Sequence, residues 1–405
     1  MLRAHMLAWL QNYSRQILRS LPANRLLALD VFRGLTITAM VLVNNPGSWS
    51  HVYGPLLHAK WHGWTPTDLI FPFFVFMIGI SVSIVMTHEL AKGTQKRQLL
   101  WSAAVRGVKL FLLGLFLALF YFNFVDPNFS WIESQLLSIR VMGVLQRLGL
   151  VFFFTVAIVA YFKPLGRFVC LLALLLGYFV AMLYLPYNLP TGESVVGELA
   201  FGNNLQAWFD AWIFSSNHVY YGDASPFHFD PEGLLSTLPA IGGALMGVFT
   251  GDLLLDKTLS TEKKCRILLL AGILGIAIGE LWGLVFPINK SLWTSSFVVM
   301  STGWASLLLG LLVWLLDIKR ITLWSAPFVV FGANAIAFYM LSAVLARVLI
   351  MLPAGETSLQ GWVYSTLFRS AFGPYNGSLL FALAFCLVCY SVMNYLFKKQ
   401  IFFKV

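Results

Sequence analysis

Residues 58–84 read HAKWHGWTPTDLIFPFFVFMIGISVSI, a polar loop that passes within a few positions into an uncharged apolar run. Thr65-Pro66-Thr67 is a helix start signal, and Asp68 is a first-turn carboxylate favoured by the helix dipole. A helix needs about 20 apolar residues to cross lipid, and it satisfies its own backbone on the way. The span expected at 67–88 meets that length. Further apolar runs predict spans near 27–45, 100–121, 142–162, 167–186, 232–251, 266–287, 292–316, 325–349 and 378–397. The reading is an all-α, polytopic membrane helical bundle of about ten transmembrane helices.

Composition agrees. Of 405 residues, 59% are hydrophobic and 11% charged, and 27 basic plus 17 acidic side chains cannot coat a soluble core of this size. The net charge of +10 would suggest nucleic acid in a soluble protein. Here the basic residues sit in short loops, where they set topology, so the expected partner is the lipid bilayer and not nucleic acid.

Arg3, Arg15, Arg19 and Arg25, then Lys92, Lys96 and Arg97, Lys163 and Arg167, Lys257, Lys263, Lys264 and Arg266, Lys319 and Arg320, and Lys398, Lys399 and Lys404 all fall on one side. The opposite loops hold Lys60, Arg140, Lys290 and Arg369. The positive-inside rule therefore places both termini in the cytoplasm. Arg33, Arg106, Lys109, Arg147 and Arg347 lie within expected spans, where a charge costs roughly 2.5–3.5 kcal/mol. Those near span ends can snorkel, whereas Arg147, about two turns inside, has no such escape.

Residues 1–24 lack a secretory h-region. Leu2, Met6, Trp9, Leu10, Tyr13, Ile17 and Leu21 recur at three and four residues among arginines, the pattern of a basic amphipathic helix on the inner leaflet. Residues 25–405 form the transmembrane domain, with outward loops at 46–66, 187–230 and 350–377. Cys170, Cys265, Cys386 and Cys389 suggest no disulfide framework. The oligomeric state is open, with a homodimer among the options.

Polar groups crowd around the first outward loop. Asp30 and Arg33 share a helix face; Asn44 and Asn45 precede Pro46-Gly47 as a natural turn; His58 and His62 are four apart. Singly each has a structural explanation, but together they resemble acyl-transfer equipment. A histidine can take and return a proton near neutral pH, a carboxylate such as Asp68 can hold its tautomer, and an asparagine amide can donate to an oxyanion. A metal site at His51, His58, His62 and Asp68 is the competing chemistry, although HExxH spacing and an outward cysteine are lacking, and no metal is expected.

RLLALDVFRG (25–34), MVLVNNPG (40–47) and HAKWHGWTPTDLIFPFF (58–74) resemble the core of the heparan-alpha-glucosaminide N-acetyltransferase family and its bacterial relatives. The likeness continues through RVMGVLQRLGL (140–150), DPEGLLSTLPA (230–240), INKSLWTSSFV (288–298) and KKQIFFKV (398–405). The resemblance implies a transmembrane acyltransferase of the bacterial inner membrane. Acetyl-CoA in the cytoplasm would donate an acetyl group to the amine of a glucosamine-type sugar outside, free or in an oligomer. It also implies that His58 is the active-site histidine, as general base or acetyl carrier, with Asn44 and Asp68 beside it. Gln146 and Arg147 match the family's Gln-Arg pair, which would account for a buried Arg147. Departures are Leu341 and Ser342, where animal members carry Gly-His, and the lack of a counterpart to their long lumenal amino-terminal domain and its extra helix.

On this reading Arg33, Arg97, Arg106, Lys109, Gln146 and Arg147 are candidates for the CoA end. Asn45, Trp61, Trp208, Trp212, Asp230, Glu232 and Lys290 are candidates for the sugar. Glu193, Glu198, Asp210, Asp223, Phe209, Tyr220 and Tyr221 enrich the loop at 187–230 in carboxylates and aromatic faces suited to an amino sugar, or to an interfacial belt. A transporter of amino sugars or their oligomers is the alternative, since buried charges also mark substrate pathways, but no inverted repeat is visible.

Overall fold

The protein is described by a computed structural model over residues 2–21, 26–124, 126 and 128–403, with side chains from residue 11 onward. Arg25 and Lys404, and the side chains of Leu2, Arg3, Met6, Trp9 and Leu10, lie outside the described residues. Among the described residues, nine helices are long and apolar enough to cross a membrane, and one bent pair makes a tenth.

In chain order the helices are α1 (Leu2–Arg19), α2 (Leu27–Asn44), α3 (Ile70–Ala91), α4 (Lys96–Leu119), α5 (Val144–Tyr161) and α6 (Pro164–Tyr184). Then come α7 (Leu205–Ile213), α8 (Leu234–Leu255), α9 (Thr261–Gly283), α10 (Ser295–Leu312), α11 (Ala326–Ala333), α12 (Ala335–Met351) and a final helix, Pro374–Lys398. Most boundaries fall within a few residues of the apolar runs. The run at 325–349 differs. It is not one straight span but two helices that meet at 76° around Asn334.

The chain divides into two compact units. One comprises residues 1–57, 257–271 and 306–404; the other comprises 58–256 and 272–305. In the first, α2 lies backbone to backbone on α11, since a Cβ at Gly34 would fall 1.8 Å from the Phe328 carbonyl oxygen. The bend at Asn334 is tied by its own side chain. Its Nδ2 donates to the Ile401 carbonyl at 2.8 Å and its Oδ1 accepts from the Phe403 amide at 3.0 Å. These bonds hold the segment after the final helix against the bend and give partners to both ends of the Asn334 amide. Ser14 and Ile17 on α1 are buried in the same unit, and the Tyr13 hydroxyl donates to Asn394 at 2.8 Å.

In the second unit α3 and α8 form the centre. Gly79 and Gly247 let their backbones touch, because a Cβ would lie 1.8 Å from the Ala244 oxygen and 2.0 Å from the Phe76 oxygen, respectively. Val75, Phe76, Ile80, Leu245, Val248 and Phe297 fill the core around this contact. Helices α4 and α6 bury few of their side chains, as lipid-facing helices do.

The loop at 187–230 is folded. Two short hairpins, Tyr187–Asn188 with Ser194–Val195 and Leu199–Ala200 with Asn203–Asn204, lead into α7. Tyr187, Phe227, Phe229, Phe286 and Leu292 pack beneath them with Tyr178 of α6.

Candidate active site

Asp68 closes the helix start anticipated from Thr65-Pro66-Thr67. A tight turn, Pro66–Leu69, precedes α3, and the Thr65 and Asp68 side chains cap it reciprocally. Asp68 is 1% exposed, and its two oxygens have separate tasks. Oδ2 accepts from the backbone amides of Ala59 (3.0 Å) and Thr65 (2.9 Å) and from the Thr65 hydroxyl (3.2 Å). Oδ1 faces His58 Nδ1 at 2.7 Å and Lys290 Nζ at 3.4 Å.

A carboxylate only accepts, so the 2.7 Å contact puts the proton on His58 Nδ1 and the lone pair on Nε2. The His58 side chain is 51% exposed while Asp68 is buried. The arrangement is a fixed carboxylate orienting a half-exposed imidazole, the relation in which a histidine acts as base or nucleophile. His62 does not join it, because its Nδ1 faces the Asn289 amide at 3.4 Å. Burial lowers the His62 pKa. Among the described residues no three His, Cys, Asp or Glu groups converge as a metal site.

Lys290 comes from the loop between α9 and α10, held from several sides. Asn289 Oδ1 accepts from the Leu292 amide (2.9 Å), Tyr178 donates to the Leu292 carbonyl (2.6 Å), and Gln206 donates to the Ser291 carbonyl (3.2 Å). Trp293, at φ +50° and 2% exposed, occupies the left-handed region that bulky residues avoid. Its ring lies against Phe71, and the Arg147 guanidinium sits 4.9 Å above it. Burial lowers the Lys290 pKa, while the carboxylates of Asp68 and Glu232 oppose that effect.

Behind the loop lies a buried ionic cluster. Arg140 grips Asp230 with two bonds of 2.7 Å and also donates to Glu232. Asp230 accepts further from the amides of Tyr220 (3.0 Å) and Glu232 (2.9 Å). Burial works against the Arg140 charge, but Asp230 and Glu232 more than offset it and raise its pKa. Arg147, fully buried, donates through Nη2 to the Pro231 and Gly233 carbonyls and to Ser236. Asp210 on α7 accepts from the Asp230 amide at 3.1 Å, and burial raises its carboxyl to about 7.

Several of the expected sugar-site residues have partners within the protein. Asp230 and Glu232 are bound to Arg140, so both carboxylates are occupied by the cluster. Trp61 anchors its loop by donating to the Leu199 carbonyl (2.9 Å) and meeting Phe201 and Phe229 edge-on. Trp208 packs beside Tyr187, whereas Trp212 is 75% exposed. Asn44, exposed, and Asn45, whose amide donates to the Val41 carbonyl at 2.7 Å, belong to the first unit with Arg33, which pairs with Asp30 at 3.8 Å.

The candidates for the CoA end do not gather at one phosphate. Arg97 and Arg106 are nine residues apart on α4, about 14 Å along the axis. Arg106 lies over the Phe152 ring, and Lys109, one turn further on, is exposed. Gln146 packs against Gly114 near the other end of α4, and Arg147 binds the start of α8. The Arg140 cluster and the approach of Lys290 to His58 were not legible in the sequence. Residue types in the blocks at 140–150, 230–240 and 288–298 were the only signal.

Residues 25–276 match the model of the family described as heparan-alpha-glucosaminide N-acetyltransferase, catalytic. The chain is similar to the heparan-alpha-glucosaminide N-acetyltransferase of Mus musculus, at 31% identity over 378 residues, covering 82% of this chain and 55% of that protein. The enzyme of Homo sapiens is 30% identical over 366 residues, covering 80% and 53%. The chain thus spans about half the length of these curated relatives.

Proposed function

As this chain belongs to the heparan-alpha-glucosaminide N-acetyltransferase family, we propose that it is a membrane acetyltransferase that moves an acetyl group from acetyl-CoA to the amine of a glucosamine-type sugar. The observation that carries the reading is the His58–Asp68 pair, with Nδ1 bound to a buried carboxylate and the lone pair left on Nε2.

In a ternary complex, Nε2 removes a proton from the attacking amine. The nitrogen bonds to the thioester carbon, the carbon–sulfur bond breaks, and the proton passes to the leaving thiolate. In a ping-pong route Nε2 attacks first, CoA leaves, and acetyl-His58 then acetylates the sugar. The distribution of basic loops supports a bacterial inner-membrane location with cytoplasmic termini, which puts His58 outside and the donor inside. Of the proposed donor contacts, Arg97 and Lys109 are exposed along α4 and suit CoA phosphates best.

The test uses purified protein, acetyl-CoA and glucosamine, with release of free CoA followed over time. Wild type should release CoA with acceptor present, and His58→Ala should lose at least 100-fold. A stoichiometric burst without acceptor identifies the ping-pong route. Unchanged release in His58→Ala, or no acetylated product from wild type with glucosamine or its oligomers, overturns the reading.

A further inference from the structure

We infer that the Lys290 ammonium group is the oxyanion donor of the acyl transfer, a step that rests on the acetyltransferase reading. Its Nζ stands over the His58 ring, 3.0 Å from Nδ1 and 3.4 Å from Nε2, and 3.4 Å from Asp68 Oδ1. The Nδ1 hydrogen is directed to Asp68, so no lone pair on that nitrogen receives a Lys290 hydrogen. One N–H points to Asp68. A second faces the Nε2 lone pair at 3.4 Å, and the third has no protein acceptor among the described residues.

An acyl group attacked about 3 Å from Nε2 therefore brings its oxygen within reach of Nζ. When the amine nitrogen bonds to the thioester carbon, the carbonyl π pair moves to oxygen. Lys290 stabilises the resulting O⁻ by a charge-assisted hydrogen bond. Collapse restores the carbonyl, breaks the carbon–sulfur bond and expels CoA thiolate, which takes the proton held on Nε2. No proton leaves Lys290 in the cycle.

The loop fits this task. A flexible four-carbon side chain loses entropy when ordered, so a donor works best when its backbone is already fixed. Asn289, Tyr178, Gln206 and Trp293 fix it here. Asp68, the nearest carboxylate, and Glu232, whose charge also acts on Lys290, favour the ammonium form inside a buried site. The asparagine amide offered by the sequence for this role belongs to the other unit, whereas Lys290 belongs to the unit of His58.

The experiment compares wild type, Lys290→Met, Lys290→Arg and Lys290→Cys in steady-state transfer from acetyl-CoA to glucosamine. Lys290→Met should lose 10²–10³-fold in kcat with little change in KM for acetyl-CoA. Lys290→Arg should keep more activity, and the alkaline limb of its kcat profile should move upward. Aminoethylation of Lys290→Cys, which rebuilds an ammonium at the same reach, should restore at least tenfold. A Lys290→Met variant within threefold of wild type in kcat overturns the inference. So does a folded Lys290→Cys that aminoethylation does not rescue. An inactive wild type instead removes the acetyltransferase reading, which keeps the two failures apart.

Discussion

Asp68→Asn isolates the orienting role of the buried carboxylate. Two backbone amides, from Ala59 and Thr65, point at Oδ2. They dictate how an asparagine sits, with its carbonyl oxygen toward them and its NH2 toward His58. The NH2 group then donates to Nδ1, so the imidazole carries its proton on Nε2 and has no lone pair where the amine must be deprotonated. The variant keeps both backbone bonds and should fold. The expected loss is about 10³–10⁴-fold in kcat, near 4–5.5 kcal/mol of barrier, the size seen when a comparable orienting aspartate is changed elsewhere. Asp68→Ala differs, since it strands two buried amides at about 1–3 kcal/mol each and should destabilise the loop as well. The assay is CoA release at saturating acetyl-CoA and glucosamine, paired with a thermal melt in detergent. An Asp68→Asn enzyme within threefold of wild type in kcat refutes the argument that Asp68 sets the tautomer.

Two further predictions concern the scaffold. The Asp210 carboxyl is raised by burial from 3.8 to about 7, so the native state holds a proton that the unfolded chain releases above pH 4. Its contribution is therefore fully present below pH 4 and is lost as pH rises through 7, about 4 kcal/mol in all. The melting temperature of wild type should fall between pH 5 and pH 7.5 more steeply than that of Asp210→Asn; equal slopes count against the assignment. At the α3–α8 contact, Gly79→Ala places a methyl 1.8 Å from the Ala244 carbonyl oxygen, and the helices must part at a cost of about 1–3 kcal/mol or more. Gly54→Ala, with nothing within 4 Å of the added Cβ, is the control. Equal monodisperse yield and melting temperature for the two variants contradict the packing described.

The spans and the helix start at Asp68 were legible because both are local. An apolar run of about 20 residues has few alternatives to a membrane helix, and Thr-Pro-Thr-Asp closes its bonds within four residues. The break at Asn334 was not legible. Its flanks are apolar throughout, and its partners are Ile401 and Phe403, more than 60 residues away. The pairing of Asp230 and Glu232 with Arg140 was illegible for a similar reason. Carboxylates in an outward loop suit a cationic ligand, and their partner within the protein lies 90 residues earlier.

Hydrophobic length and residue type were enough to establish a polytopic helical membrane protein and to single out His58 and Asp68 as candidates, since both signals lie along a contiguous stretch. Three matters needed the folded chain: which His58 nitrogen faces Asp68, which charges are bound internally, and that Lys290 stands 3.0 Å from the imidazole across 232 residues of sequence. Hydrogen bonds and ion pairs act over about 3–4 Å of space, and separation along the chain does not say which groups packing brings that close.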